Sequence, residues 1–140
     1  MSAPFGSGAP LVFDTSAWLR QRDSAVHPRW EATRIAGLLA VCPVVTLEVL
    51  RGARDEQMFA ALDSALAAVS HQAPVTRTAC EAAVGASRQL RGSRRGVPAA
   101  DYLIVAAAAE RGFGVLHCDR HMDMLAETLG VESIRIPGTE

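Results

Sequence analysis

The chain contains no lysine: all 14 basic residues among its 140 are arginine. Mechanisms that need a lysine amine are therefore excluded. Aromatic residues make up only 5% of the chain, too few for an evident platform on which single-stranded bases would stack. The net charge is −1, so no global basic field marks a nucleic-acid binder, and any basic surface must be arranged locally. The three cysteines, Cys42, Cys80 and Cys118, are widely spaced, odd in number and lack a C-x-x-C pair. Neither a disulfide framework nor a zinc knuckle is expected, and reduced cytosolic thiols are. The longest apolar run, within 97–109, is too short to span a bilayer. The first ten residues are small, Gly/Pro-rich and uncharged, without the basic start and apolar run of a signal peptide. The expected location is cytoplasmic.

What is present is a 49% hydrophobic chain long enough for one domain with a proper core. Residues 1–9 read as a loose tail, 10–137 as the folded domain and 138–140 as a second tail. Leu11-Val12-Phe13 reads as a buried strand. Asp14 or Thr15 then caps a helix running through Trp18 to about Arg22. A second helix is expected from about Pro28 to Ala40, with Trp30, Ile35, Leu38 and Leu39 on its apolar face. Cys42-Pro43-Val44-Val45 is a second strand candidate, followed by a helix that Thr46 caps and Gly52 stops. Asp55 caps the next helix, and residues 71–76 have room for a short strand at Pro74-Val75. A helix from Thr76 or Thr78 to about Leu90 leads into a basic loop at 91–96. Pro98 opens an Ala-rich helix in which every residue from Ala99 to Ala109 but Asp101 is apolar or aromatic. Gly114 to Cys118 is a third strand candidate, Arg120 to about Leu129 a helix, and Val131 to Ile136 a final strand. Strands alternating with helices predict an α/β fold with a mostly parallel central sheet flanked by helices.

Ligands of such sheets bind beyond the carboxyl ends of the strands. Four acids fall there. Asp14 follows the first strand, Glu48 lies in the helix after the second, Asp119 follows the third, and Asp101 opens the buried helix. Carboxylates crowded together cannot all ionise unaided, and a divalent cation removes the conflict. All-oxygen donors select a hard ion, Mg²⁺ or Mn²⁺. Such a centre suits phosphoryl chemistry, because the ion activates water and offsets charge on phosphate oxygens.

The stretches Leu11-Val12-Phe13-Asp14-Thr15-Ser16-Ala17, Thr46-Leu47-Glu48-Val49-Leu50-Arg51-Gly52, Pro98 to Ala108 and Leu116 to Ala126 come in an order and spacing that resemble PIN-domain proteins, specifically VapC-type toxins of bacterial toxin–antitoxin pairs. The similarity covers roughly residues 11–136. It implies a single PIN-like domain and a Mg²⁺-dependent endoribonuclease, with Mn²⁺ able to substitute, that hydrolyses phosphodiester bonds in cellular RNA. It also implies silencing by a VapB-type antitoxin and a homodimer, assembled into a larger toxin–antitoxin complex. Asp14, Glu48, Asp101 and Asp119 match the family's catalytic acids, with Asp14, Asp101 and Asp119 as metal ligands. Thr15 or Ser16 matches the hydroxyl that supports the first Asp. The chain departs from the pattern at His121, where another acid is common, and at His117, where a hydroxyl is common. Asp123, one helical turn beyond Asp119, could share its face.

Substrate-binding candidates are Thr15, Ser16, Arg94, Arg95 and His121, with Arg88, Arg91, Arg51 and Arg54 as further phosphate-binding candidates. Haloacid-dehalogenase-like phosphatases and response-regulator receiver domains fail for want of a lysine, and the former also for Ser16 where a second Asp is required. The surviving alternative is a catalytically weak PIN-fold protein acting as an RNA- or protein-binding module.

Overall fold

Three fully buried residues, Leu11–Phe13, form β1, the middle strand of the sheet in the computed structural model, which describes residues 2–92 and 96–137. Arg94, Arg95 and the expected tail at 138–140 lie outside the described residues. The chain continues through α1 (Thr15–Leu19), α2 (His27–Ile35), β2 (Leu39–Val41), α3 (Pro43–Arg51), α4 (Glu56–Ala67), β3 (His71–Gln72) and α5 (Arg77–Leu90). It ends through α6 (Ala99–Arg111), β4 (Gly114–His117), α7 (Arg120–Leu129) and β5 (Ser133–Arg135). The strands form one sheet in the order β3-β2-β1-β4-β5, and every pairing is parallel. β1, β2 and β4 are buried throughout, as continuous apolar strands covered on both faces must be.

Helix faces explain the cover. α7 presents Met122, Leu125 and Ala126, at i, i+3 and i+4, to the core. α5 turns Ala79, Ala83 and Ala86 inward, and Ala79 and Ala83 cluster with Ala106 of α6. α6 is buried from Ile104 to Ala108, while its first turn is partly open. Phe13, Trp18 and Trp30 form a ring cluster with centroids 5.4 to 6.4 Å apart, so both tryptophans serve packing. Gly114 is required sterically: a Cβ there would lie 2.7 Å from Leu11 Cδ2 and 3.0 Å from the Glu132 carbonyl oxygen.

The structure corrects several expected elements. α2 ends at Ile35, and Gly37, at φ +73°, turns the chain into β2. Ile35, expected on the apolar face, is 74% exposed, and Leu39 belongs to the strand. The second strand is Leu39–Val41, not 42–45, because Pro43 starts α3. Proline suits a first helical turn, where its missing N–H is not needed. Thr46 is therefore inside α3 and caps nothing. β3 is His71–Gln72 and not Pro74-Val75; its register, Ala40 with His71 and Val41 with Gln72, is set by β2. Asp14, Asp55 and Thr76 do cap α1, α4 and α5 through their side chains.

Candidate active site at the carboxyl edge of the sheet

The strand order reverses at β1, whose neighbours are β2 and β4, and a parallel sheet opens a crevice at such a switch point. Asp14 stands immediately beyond β1, its N–H donating to the Leu116 carbonyl at 3.0 Å, which extends the ladder by one residue. It is 7% exposed. Its Oδ1 accepts the Ala17 N–H at 2.8 Å and the Ser16 hydroxyl at 2.7 Å, so the residue is both helix cap and cleft acid. Burial pushes its carboxyl above the ordinary value, Ser16 and Ala17 oppose the rise, and the Asp101 charge adds to it.

Asp101 enters from the first turn of α6. Burial raises it too, and the charges of Glu48 and Asp119 push in the same direction, while His121 opposes them. Glu48, half-buried on α3, accepts the Thr15 hydroxyl at 2.6 Å on Oε1. The two adjacent hydroxyls thus divide their work: Ser16 supports Asp14 and Thr15 supports Glu48. Asp119 caps α7, accepting the His121 N–H on Oδ1 at 3.2 Å, and is the most open of the acids, with 52% side-chain exposure. The structure therefore gathers Asp14, Glu48 and Asp119 around Asp101, each near enough for its charge and that of Asp101 to interact.

His121 lies between two of them. Its Nε2 is 2.7 Å from Asp101 Oδ2 and its Nδ1 is 3.0 Å from Asp119 Oδ1. Among the described residues, no three His, Cys, Asp or Glu side chains already converge as a ligand set. The donor chemistry nevertheless fits a divalent cation. Two buried carboxyls are held above their ordinary values by burial and by neighbouring acids, the condition that a bound cation relieves.

Asp123 does not share the acidic face. It turns toward β5, where Oδ1 accepts the Ser133 hydroxyl at 2.6 Å and Oδ2 faces Arg135 Nη2 at 3.1 Å. His117, fully buried, completes this network. Its Nδ1 accepts the Asp119 N–H at 3.1 Å, so the ring proton sits on Nε2, 2.7 Å from Ser133 Oγ. Burial also lowers the His117 pKa, in keeping with a neutral ring. His117 thereby fixes the turn that carries Asp119. Sequence reasoning missed Ser133, for which the alternating pattern of 131–136 offered no signal beyond a strand. Arg51, Arg54, Arg88 and Arg91 are exposed.

These features define an α/β protein with an acidic cleft at the switch point of a parallel sheet. The PIN domain family model matches residues 11–127, and the chain belongs to the PIN-domain family. It is 32% identical over 125 residues to Ribonuclease VapC18 of Mycobacterium tuberculosis (strain ATCC 25618 / H37Rv), covering 86% of this chain and 91% of that one. Ribonuclease VapC51 of the same strain is 35% identical over 120 residues, covering 85% and 87%. Among solved structures, VapBC-5 of Mycobacterium tuberculosis, a member of the VapBC family of toxin–antitoxin systems, superposes with a TM-score of 0.65 at 27% identity. That match covers 91% of this chain and 99% of the other.

Proposed function

We propose that this chain is a metal-dependent endoribonuclease toxin that hydrolyses phosphodiester bonds in RNA and is neutralised by a cognate VapB-type antitoxin. The observation that carries the reading is the gathering of the acids at the sheet edge, where the adjacent Ser16 and Thr15 hydroxyls bind Asp14 and Glu48 and His121 lies within 3.0 Å of both Asp101 and Asp119, in a chain with VapC ribonuclease relatives. Asp14, Asp101 and Asp119 would hold the ion, Mg²⁺ or Mn²⁺. When bound, it would lower the pKa of water and offset charge on the phosphate oxygens. Glu48, which accepts the Thr15 hydroxyl, would take a proton from the attacking water. Ser16 and the Ala17 N–H keep Asp14 in one rotamer. Thr15, Ser16 and His121, which contact Glu48, Asp14 and Asp101, would meet the substrate, and Arg94 and Arg95 would bind the RNA backbone.

The antitoxin surface is proposed to be the cleft between α1 and α4, lined by Trp18, Leu19, Gln21, Ala61, Leu62 and Ala65. Leu19 is 74% exposed there, and an amphipathic partner helix would cover it. No helix among the described residues is long and apolar enough to cross a membrane. A cytoplasmic homodimer within a toxin–antitoxin assembly is the proposed setting.

The test is RNA cleavage by the purified, antitoxin-free chain with Mg²⁺, Mn²⁺ or EDTA, beside Asp101→Asn. Metal-dependent cleavage absent from the variant is expected. RNA binding without cleavage under any of these conditions would replace the nuclease with the catalytically weak binding module.

A further inference from the structure

We propose that His121 is a metal ligand of the acidic cleft and shifts its preference from Mg²⁺ toward first-row transition ions. The inference rests on the reading of this cleft as the metal site. Its basis is the seat of the imidazole. Nε2 lies 2.7 Å from Asp101 Oδ2, and Nδ1 lies 3.0 Å from Asp119 Oδ1. Two ligands about 2.1 Å from one octahedral ion, at right angles, stand about 3 Å apart. The Nε2 to Oδ2 separation is thus close to that of neighbouring ligands on a shared ion. The contact is a hydrogen bond in the metal-free chain, and a bound ion would take the place of its proton.

The second nitrogen completes the arrangement. A histidine that ligates a metal through one nitrogen usually donates its other N–H to a carboxylate, which fixes tautomer and ring orientation. Asp119 Oδ1 occupies that position opposite Nδ1. With Nε2 on an ion beside Asp101, Nδ1–H would face Asp119 Oδ1, 3.0 Å away, and Asp119 would keep Oδ2 for the ion. The ring is also firmly mounted. His121 is in the first turn of α7, its backbone N–H bound by Asp119, and the next residue, Met122, is fully buried. The ring itself is only 27% exposed, so it is not a freely moving surface side chain.

The consequence is selectivity. Carboxylates alone suit Mg²⁺, whereas an imidazole nitrogen adds affinity for softer ions such as Co²⁺ and gives Mg²⁺ little. The full chain, stripped of metal and free of antitoxin, would be titrated calorimetrically with MgCl₂, MnCl₂ and CoCl₂. Wild type, His121→Ala, His121→Asp and Asp101→Asn would be compared, each checked for folding by circular dichroism. His121→Ala should weaken Co²⁺ binding by about tenfold or more while changing Mg²⁺ binding by less than about threefold. His121→Asp should narrow the Co²⁺ to Mg²⁺ preference by strengthening Mg²⁺. The visible absorption of bound Co²⁺ should change when the nitrogen donor is lost.

Unchanged Co²⁺ affinity and spectrum in His121→Ala, with binding lost in Asp101→Asn, would overturn the role of His121 and leave the metal site standing. Metal binding undiminished in Asp101→Asn, or absent from the wild type, would overturn the site reading itself.

Discussion

Asp101 and Asp123 occupy the same local position, the first turn of a helix, yet their carboxyls move in opposite directions. The helix dipole favours an anion at both. Asp101 is raised because burial and the neighbouring Glu48 and Asp119 outweigh one histidine. Asp123 also feels burial, but the Ser133 hydroxyl and the Arg135 guanidinium work to bring it below its ordinary value. The difference separates two uses of a carboxylate. At the α7–β5 junction donors surround the acid, and it ties a helix to a strand. At the cleft, acids face acids, and the charge is left for something from outside to neutralise.

That contrast can be broken from either side. The largest effect is expected for Asp101→Asn, which should lower metal-dependent RNA cleavage on the order of 100-fold or more, the scale of losing one electrostatic stabiliser. Single-turnover cleavage of a labelled RNA would measure it. Next is Asp123→Ala, which should leave the metal site intact but destabilise the fold by about 1–2 kcal/mol. The loss reflects a Ser133 hydroxyl without its acceptor and an Arg135 without its partner, discounted because Asp123 is 40% exposed. Chemical denaturation would report it.

A smaller effect, of opposite sign, is expected at Asp14. Asparagine keeps the oxygen that caps α1 but removes a charge held against desolvation. Asp14→Asn should therefore slightly stabilise the metal-free chain at neutral pH while lowering cleavage no more than Asp101→Asn does. The two acids also predict opposite pH dependences. Asp14 is raised above 3.8 on folding, so the cost of its charge is full at neutral pH and disappears as pH falls below that value. The stabilisation by Asp14→Asn should fade accordingly. Asp123 is lowered below 3.8, so its contribution is present above that value and is lost as pH falls through its folded pKa. The destabilisation by Asp123→Asn should vanish in acid. Thermal melts of both variants between neutral and acid pH, with EDTA present, check the signs. Thr15→Val should have the smallest effect, a fall in cleavage of about fivefold, because Glu48 loses one orienting hydrogen bond of about 1 kcal/mol.

Much of this was legible along the chain. β1 and β4 are short buried runs, and Asp14, Asp55 and Thr76 cap the helices that follow them. The four cleft acids could be placed because strand ends in a parallel sheet meet at one edge. Other features depended on distant partners. Pro43 reads equally as part of an apolar strand or as a helix start, and only the pairing of Leu11 with Leu39 decides that the strand lies earlier. His71 and Gln72 have no strand pattern of their own and become one beside β2.

The sequence by itself determined the α/β alternation, the capped helix starts and the acids at strand ends, because these follow from residues within a few positions of one another. Tertiary structure alone decided that Asp123 faces Ser133 and Arg135 while His121 faces Asp101. Two residues, about half a turn of helix, separate cleft from scaffold on α7, and which side each residue meets depends on how α7 packs between α6 and β5. The apolar face of Met122, Leu125 and Ala126 sets the rotation of α7; which groups stand on either side of that face, Asp101 or Ser133 and Arg135, is decided by the fold, because they are distant in the chain.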